Sequence, residues 1–232
     1  MRIVLITGAS RGIGRATAQA LAGPGTQLIL TARTVKELEE TDDLVRAKGG
    51  QSTLIQHDLR NFPGIQEMAR SLGQRFQGLD GLVLNGGMLG RLQSVEDLDP
   101  VHFGEVMETN LIANFIFMKA CAPLLRAAKK GQLIAVTTGA VPNPRAYWGA
   151  YAASKAGLEA LTLAFSKEVE ADFRVNLFDP GRVRTEMRAT AYPGEDPMTV
   201  RAAEDVGQIL ADLILDTDLG TGLRLHANNY PA

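Results

Sequence analysis

Seven short apolar runs, separated by segments of helical length, constrain the fold of this chain more than any other feature. The runs are Ile3–Ile6, Leu28–Leu30, Thr53–Ile55, Leu82–Leu84, Leu133–Val136, Val175–Phe178 and Leu223–Leu225. Between them lie Arg15–Leu21, Val35–Lys48, Ile65–Phe76, Leu98–Ala128, Ala150–Glu170 and Ala202–Leu215, all helical in length and composition. Strands that are apolar at nearly every position are buried on both faces. The alternation therefore predicts an α/β protein, a parallel sheet of seven strands with helices on both faces. No repeat, low-complexity stretch or linker interrupts the pattern, so residues 1–232 read as a single domain. The longest irregular stretch begins near Arg182 and runs past Pro193, Gly194 and Pro197. A long loop after a parallel strand is the expected place for a substrate lid.

Composition mainly excludes. A net charge of −2 provides no basic footprint for nucleic acid, although Arg182, Arg184 and Arg188 recur locally. With 45% hydrophobic and 22% charged residues the chain is neither disordered nor fibrous. The single cysteine, Cys121, cannot form an intramolecular disulfide, and its apolar helical setting predicts a buried, inert thiol. The first apolar stretch ends at Thr7-Gly8, too short for a signal peptide or a membrane span, so the expectation is a cytoplasmic protein without a membrane partner. His102 and His226 have no metal-like partners in the sequence, and His57 reads as incidental; no metal is expected.

The first strand runs into Thr7-Gly8-Ala9-Ser10-Arg11-Gly12-Ile13-Gly14, and a helix follows. Glycines permit a tight turn and close backbone approach, and a helix N-terminus offers unpaired N–H groups to a pyrophosphate. The spacing is T-G-x-x-x-G-x-G rather than G-x-G-x-x-G, but the position after a first strand and before a helix is that of a dinucleotide loop. The second strand ends in Thr31-Ala32-Arg33, where an acidic residue would ordinarily bind the adenosine ribose 2′-hydroxyl. Two guanidinium groups, Arg33 and Arg11, suit a 2′-phosphate instead, so NADP(H) is expected over NAD(H). The alternative is that both are surface residues. Asp58-Leu59 ends the third strand; the carboxylate either accepts from an adenine amino group or caps the next helix.

Tyr151 and Lys155 stand four apart at the start of a helical segment, so they share one face. A cation beside a phenol favours the phenolate and is expected to lower the tyrosine pKa. That pair suits proton exchange with a carbonyl oxygen. Tyr147 and Trp148 precede it, either walling a substrate pocket or packing at the helix start. Met187, Tyr192 and Met198 lie in the expected lid.

These motifs together resemble the short-chain dehydrogenase/reductase family over essentially the whole chain, and the stretch Tyr147–Lys155 resembles a bacterial subgroup of poorly characterised short-chain oxidoreductases. The resemblance implies a Rossmann-type doubly wound fold and an enzyme that interconverts carbonyl and alcohol. It implies cofactor contacts at Gly8, Ser10, Arg11, Gly12, Ile13, Gly14, Arg33, Asp58, Leu59, Asn85, Gly87, Pro180, Gly181, Val183 and Thr185, besides Tyr151 and Lys155. Tyr151 would be the general acid/base. Lys155 would lower its pKa and bond the nicotinamide ribose, and Asn110 would hold a water linking Lys155 to solvent. Two positions depart from the family. Leu84-Asn85-Gly86-Gly87 replaces Asn-Asn-Ala-Gly, and Thr138 stands where the catalytic serine is expected. Threonine keeps the hydroxyl that polarises a carbonyl, but its methyl restricts χ1. Two other readings remain open: a cofactor-binding sensor or scaffold with a degenerate site, and a 3-oxoacyl-carrier-protein reductase that docks an acidic carrier through Arg182, Arg184 and Arg188. The resemblance further implies a homodimer or homotetramer acting on a small-molecule carbonyl or alcohol.

Overall fold

The structure, a computed structural model, describes residues 1–230; positions 231 and 232 of the expected domain lie outside the described residues. Strand and helix alternate: β1 (Arg2–Thr7), α1 (Gly12–Leu21), β2 (Thr26–Ala32), α2 (Val35–Ala47), β3 (Gln51–Gln56), α3 (Phe62–Arg75) and β4 (Gly81–Leu84). There follow α4 (Pro100–Met107), a π turn (Glu108–Ile112), α5 (Ala113–Ala127), β5 (Gln132–Val136), α6 (Gly149–Glu168) and β6 (Arg174–Asp179). The chain ends with α7 (Glu186–Ala191), α8 (Ala203–Leu215) and β7 (Arg224–His226). The seven strands form one sheet in the order β3-β2-β1-β4-β5-β6-β7, every pairing parallel.

Successive strand residues point to opposite faces, which gives the sheet two cores. Val4, Ile6, Leu28, Leu30, Val83 and Ile134 meet α1, α2 and α8 on one face. Ile3, Leu5, Ile29, Leu82, Leu84 and Leu133 meet α3, α5 and α6 on the other. Each fully buried aliphatic side chain contributes about 1.5–3 kcal/mol relative to exposure. Cys121 is buried in the second core, and burial pushes its thiol up to about 12, as an inert thiol requires. Among the described residues, no helix is long and apolar enough to cross a membrane.

Several boundaries differ from the sequence expectation by a few residues, and three of them bear on the site. The last strand lies one residue later than Leu223–Leu225. The first helix starts at Gly12, so the glycine loop runs straight into it. The expected helix Leu98–Ala128 begins at Pro100, after an Asp99 cap, and its middle widens into the π turn. A π turn inserts a residue into the helical ladder and re-aims the side chains around it; here it carries Asn110.

Candidate active site

Parallel strands bring their C-terminal ends to one edge of the sheet, and β1 has neighbours leading away on both sides. The crevice between β1 and β4 is therefore the topological switch point where such sheets bind ligands. The glycine loop lies there. Gly8 adopts φ +65° and Gly12 φ +55°, backbone that favours glycine. A Cβ on Gly14 would lie 2.2 Å from the Gly8 carbonyl oxygen. No side chain caps the N-terminus of α1, so its first N–H groups are available to an anion. This cradle fits a pyrophosphate. Two residues without an assigned role hold it in shape. The Thr7 hydroxyl accepts from the Asn85 and Gly86 N–H groups at 3.1 and 2.9 Å. Arg15 donates to the Ser10 carbonyl at 2.8 Å and reaches Glu40 on α2 at 2.9 Å. Asn85 donates to the Thr7 and Gly8 carbonyls at 3.1 Å each, so it clamps β4 onto the loop.

At the adenosine end Arg33 is exposed, and no carboxylate pairs with it among the described residues. Arg11 is not free in the same way: it is paired with Glu186 on α7. Ile13 packs partly into the first core. Asp58 is exposed and accepts from the Arg60 N–H at 2.9 Å, while the α3 cap is Asn61; the capping alternative for Asp58 is thereby removed. Leu59 packs against Gly86, where a Cβ would come within 2.8 Å of it.

The two catalytic candidates on α6 are buried, Tyr151 at 8% and Lys155 at 3% exposure. Lys155 donates to the Val136 carbonyl at the end of β5, 2.8 Å away. Asn110 is fully buried; its amide donates to the Met88 carbonyl (2.8 Å) and the Ser154 hydroxyl (3.0 Å) and accepts from the Met88 N–H (2.8 Å). It clamps the loop after β4 to α6. A Cβ on Gly87 would lie 3.0 Å from Asn110 Oδ1 and 3.7 Å from Lys155 Nζ, so these three meet. Thr138, half-buried after β5, accepts from the Ala140 N–H at 3.3 Å and stands close enough to the Tyr151 phenol to act on it.

Electrostatics correct one expectation. The tyrosine pKa does not fall: burial pushes Tyr151 up to about 12, with Thr138 pulling down and the charge of Asp179 adding to the rise. Burial also pulls Lys155 down to about 8, with Glu159 opposing. Desolvation penalises both charged forms, and Lys155 is not among the groups that act on the phenol.

The cofactor turn after β6 is braced from behind. Asp179, buried, accepts from the Gly181 N–H at 3.0 Å, next to Pro180. Its other oxygen takes a 3.2 Å bond from Arg224 on β7, which also donates to the Thr138 carbonyl (3.0 Å) and to Glu159 (3.2 Å). One guanidinium thus ties the Thr138 loop, the Gly181 turn and α6 together. Val183 is buried, and Thr185 caps α7 and faces Gly12. Trp148, at the start of α6, stands edge-on to Tyr151 with ring centroids 5.8 Å apart, a contact that suits either alternative, whereas Tyr147 is exposed with φ 72°. Leu89, Ala140, Leu92 and Ala191 complete an apolar wall around Tyr151. Sequence reading missed Thr7, Arg15, Asp179, Glu159 and Arg224. The first four adjoin motifs and were within reach; Arg224 carries no local signal.

Fold and crevice together define a dinucleotide-fold oxidoreductase. The sequence pattern described as short chain dehydrogenase matches residues 2–196, and the chain belongs to that family. It is 33% identical over 208 residues to the uncharacterized oxidoreductase YciK of Escherichia coli (strain K12), covering 88% of this chain and 82% of that one. A short chain dehydrogenase from Shigella flexneri 2a, solved with NADP, superposes with a TM-score of 0.93 at 33% identity, covering 98% and 97% of the two chains. One from Escherichia coli CFT073, solved with NADPH, gives 0.92 at 33% identity, covering 97% and 96%. The protein is an oxidoreductase of the family that acts on CH–OH and C=O groups.

Proposed function

We propose that the protein reduces a small-molecule carbonyl compound to an alcohol with NADPH, and runs the reverse with NADP, using Tyr151 as general acid/base. The observation that carries this reading is the meeting of Lys155 and Asn110 beside Gly87, with Tyr151 one helical turn before Lys155 on α6 and Thr138 acting on its phenol. In the balanced reaction NADPH, a proton and the carbonyl give NADP and the alcohol. Bound NADPH supplies the hydride that adds to the carbonyl carbon; the chain supplies position and the proton. A phenol near 12 stays protonated through neutral pH, so Tyr151 has a proton to give the carbonyl oxygen. The Thr138 hydroxyl donates to the same oxygen and fixes its direction. Lys155, near 8, carries charge through neutral pH, bonds the nicotinamide ribose and restores the phenol's proton by way of the Asn110 side.

The preference for NADP(H) rests on unpaired Arg33 at the end of β2, with Arg11 exchanging Glu186 for the 2′-phosphate. The NADP and NADPH complexes of the two similar dehydrogenases support it. Self-association as a homodimer or homotetramer suits exposed Ile112 and Phe115 beside α5, and a cytoplasmic setting suits the free thiol.

The test is Tyr151→Phe, assayed at 340 nm with ketones, aldehydes and β-ketoacyl thioesters and by NADPH titration. Turnover is expected to fall about 100-fold or more, the ordinary scale of general acid catalysis, with NADPH binding nearly intact. Unchanged turnover would remove Tyr151 from the mechanism. Binding of NADPH without oxidation by the wild type would make the protein a sensor.

A further inference from the structure

Three arginines act on one carboxylate, Glu195, in the segment that follows α7. Arg188 on α7 forks onto Glu195 with two bonds of 2.6 Å. Arg182 stands 3.7 Å from the same carboxylate. Together with Arg145, which also acts on it, they hold the Glu195 carboxyl below its usual range, Arg188 most strongly. Of the other acids of this loop, Glu186 pairs with Arg11 and Asp196 accepts from the Met198 N–H. Three positive charges therefore gather around the Glu195 carboxylate, in a protein whose net charge is −2.

Arg145 is the member that makes no ion pair among the described residues. Its guanidinium lies over the Trp148 ring at 5.9 Å and the Tyr192 ring at 5.7 Å and donates to the Tyr192 hydroxyl. Trp148 and Tyr192 are 5.7 Å apart, and Trp148 touches Tyr151. Trp148 thus neighbours both Tyr151 and Arg145, an aromatic surface followed by a cation. A flat or apolar body lies well on the first, and an anionic group is attracted by the second.

We propose that the pocket selects carbonyl compounds bearing an anionic group, a carboxylate or phosphate, about one ring beyond the carbonyl, with Arg145 as the residue that determines this specificity. The proposal rests on the carbonyl-reductase reading above and names the substrate class for that same site.

Trp148 is the chain's only tryptophan, so its emission reports binding beside it whether or not turnover occurs. The protein is saturated with NADP and titrated with 4-carboxybenzaldehyde or with its neutral methyl ester. The acid is expected to bind about tenfold or more tightly than the ester, the lower range of one charge-assisted hydrogen bond, with the advantage shrinking as salt rises. Arg145→Gln should bring the ratio of the two affinities toward one, and Arg145→Lys should keep part of it. Equal binding of acid and ester, or a preference that survives Arg145→Gln, overturns the proposal. So does saturable binding of an acidic acyl-carrier protein without preference for the small acid, which would make the patch a protein-docking site. Turnover with NADPH is scored separately. Preferred binding of the acid with reduction of neither compound overturns the oxidoreductase reading and leaves the anion site standing; equal reduction of both does the reverse.

Discussion

Lys155 meets two opposed demands. Burial disfavours its charge, yet the chemistry proposed for it uses that charge. Its value near 8, against 10.5 for an ordinary lysine, has a consequence for stability. A base whose pKa is depressed by folding opposes folding while it is protonated in both states. Its contribution is fully present above 10.5 and is lost as pH falls through 8. Lys155→Met removes the penalty, so the variant should be more stable than the wild type at pH 7 by up to roughly 3 kcal/mol, at 1.36 kcal/mol per pH unit, while losing turnover. The advantage should shrink between about pH 8 and pH 10.5. Urea melts of both proteins across that range check it; a difference independent of pH would show that Lys155 is not depressed. Tyr151 has the opposite sign: its raised pKa contributes stability present below about 10 and lost only as pH rises through 12, so it does not mask the lysine.

At the scale of elements, β7 has only three residues but completes the catalytic edge through Arg224. Arg224→Gln leaves the buried Asp179 carboxylate and Glu159 without their cation. Breaking a buried pair costs about 3–5 kcal/mol; with Arg224 31% exposed, solvent screening reduces this to roughly 2 kcal/mol. The expected result is that loss in urea melts together with a lower kcat, because the Thr138 carbonyl is no longer held. A fall in stability with unchanged kcat would reduce Arg224 to a structural tie. Much of the site's machinery was legible in the sequence because it sits in short motifs: Gly8, Gly12 and Gly14, Tyr151 and Lys155, Pro180 and Gly181. Arg224 was not legible, since it acts on residues far away in the chain. The π turn at Asn110 was equally silent, because a uniform helix over Leu98–Ala128 satisfies the same apolar pattern.

In the molecule as a whole, the cofactor loop depends on packing at its far end. A Cβ on Gly207 in α8 would come within 2.5 Å of the Ala16 backbone in α1, the helix that starts at the glycine loop. Gly207→Val should push the two helices apart, costing about 1–3 kcal/mol as overpacking does, and should weaken NADPH binding because α1 moves with its loop. Urea melts and NADPH fluorescence titration read the two effects; intact stability would mean that the helices yield without strain. The residues responsible, α8 and β7, lie beyond the stretch 2–196 that carries the family pattern.

The sequence alone determined the seven-stranded parallel sheet, the glycine cradle and the Tyr151–Lys155 pair, because periodicity, turn-forming glycines and i, i+4 spacing act between near neighbours. Tertiary structure decided the rest. It raised the phenol's pKa instead of lowering it, tied Arg11 to Glu186, aimed Asn110 through a π turn and set Arg145 over Trp148. Desolvation and unpaired charge depend on what packs against a group, and only the folded chain brings those neighbours together.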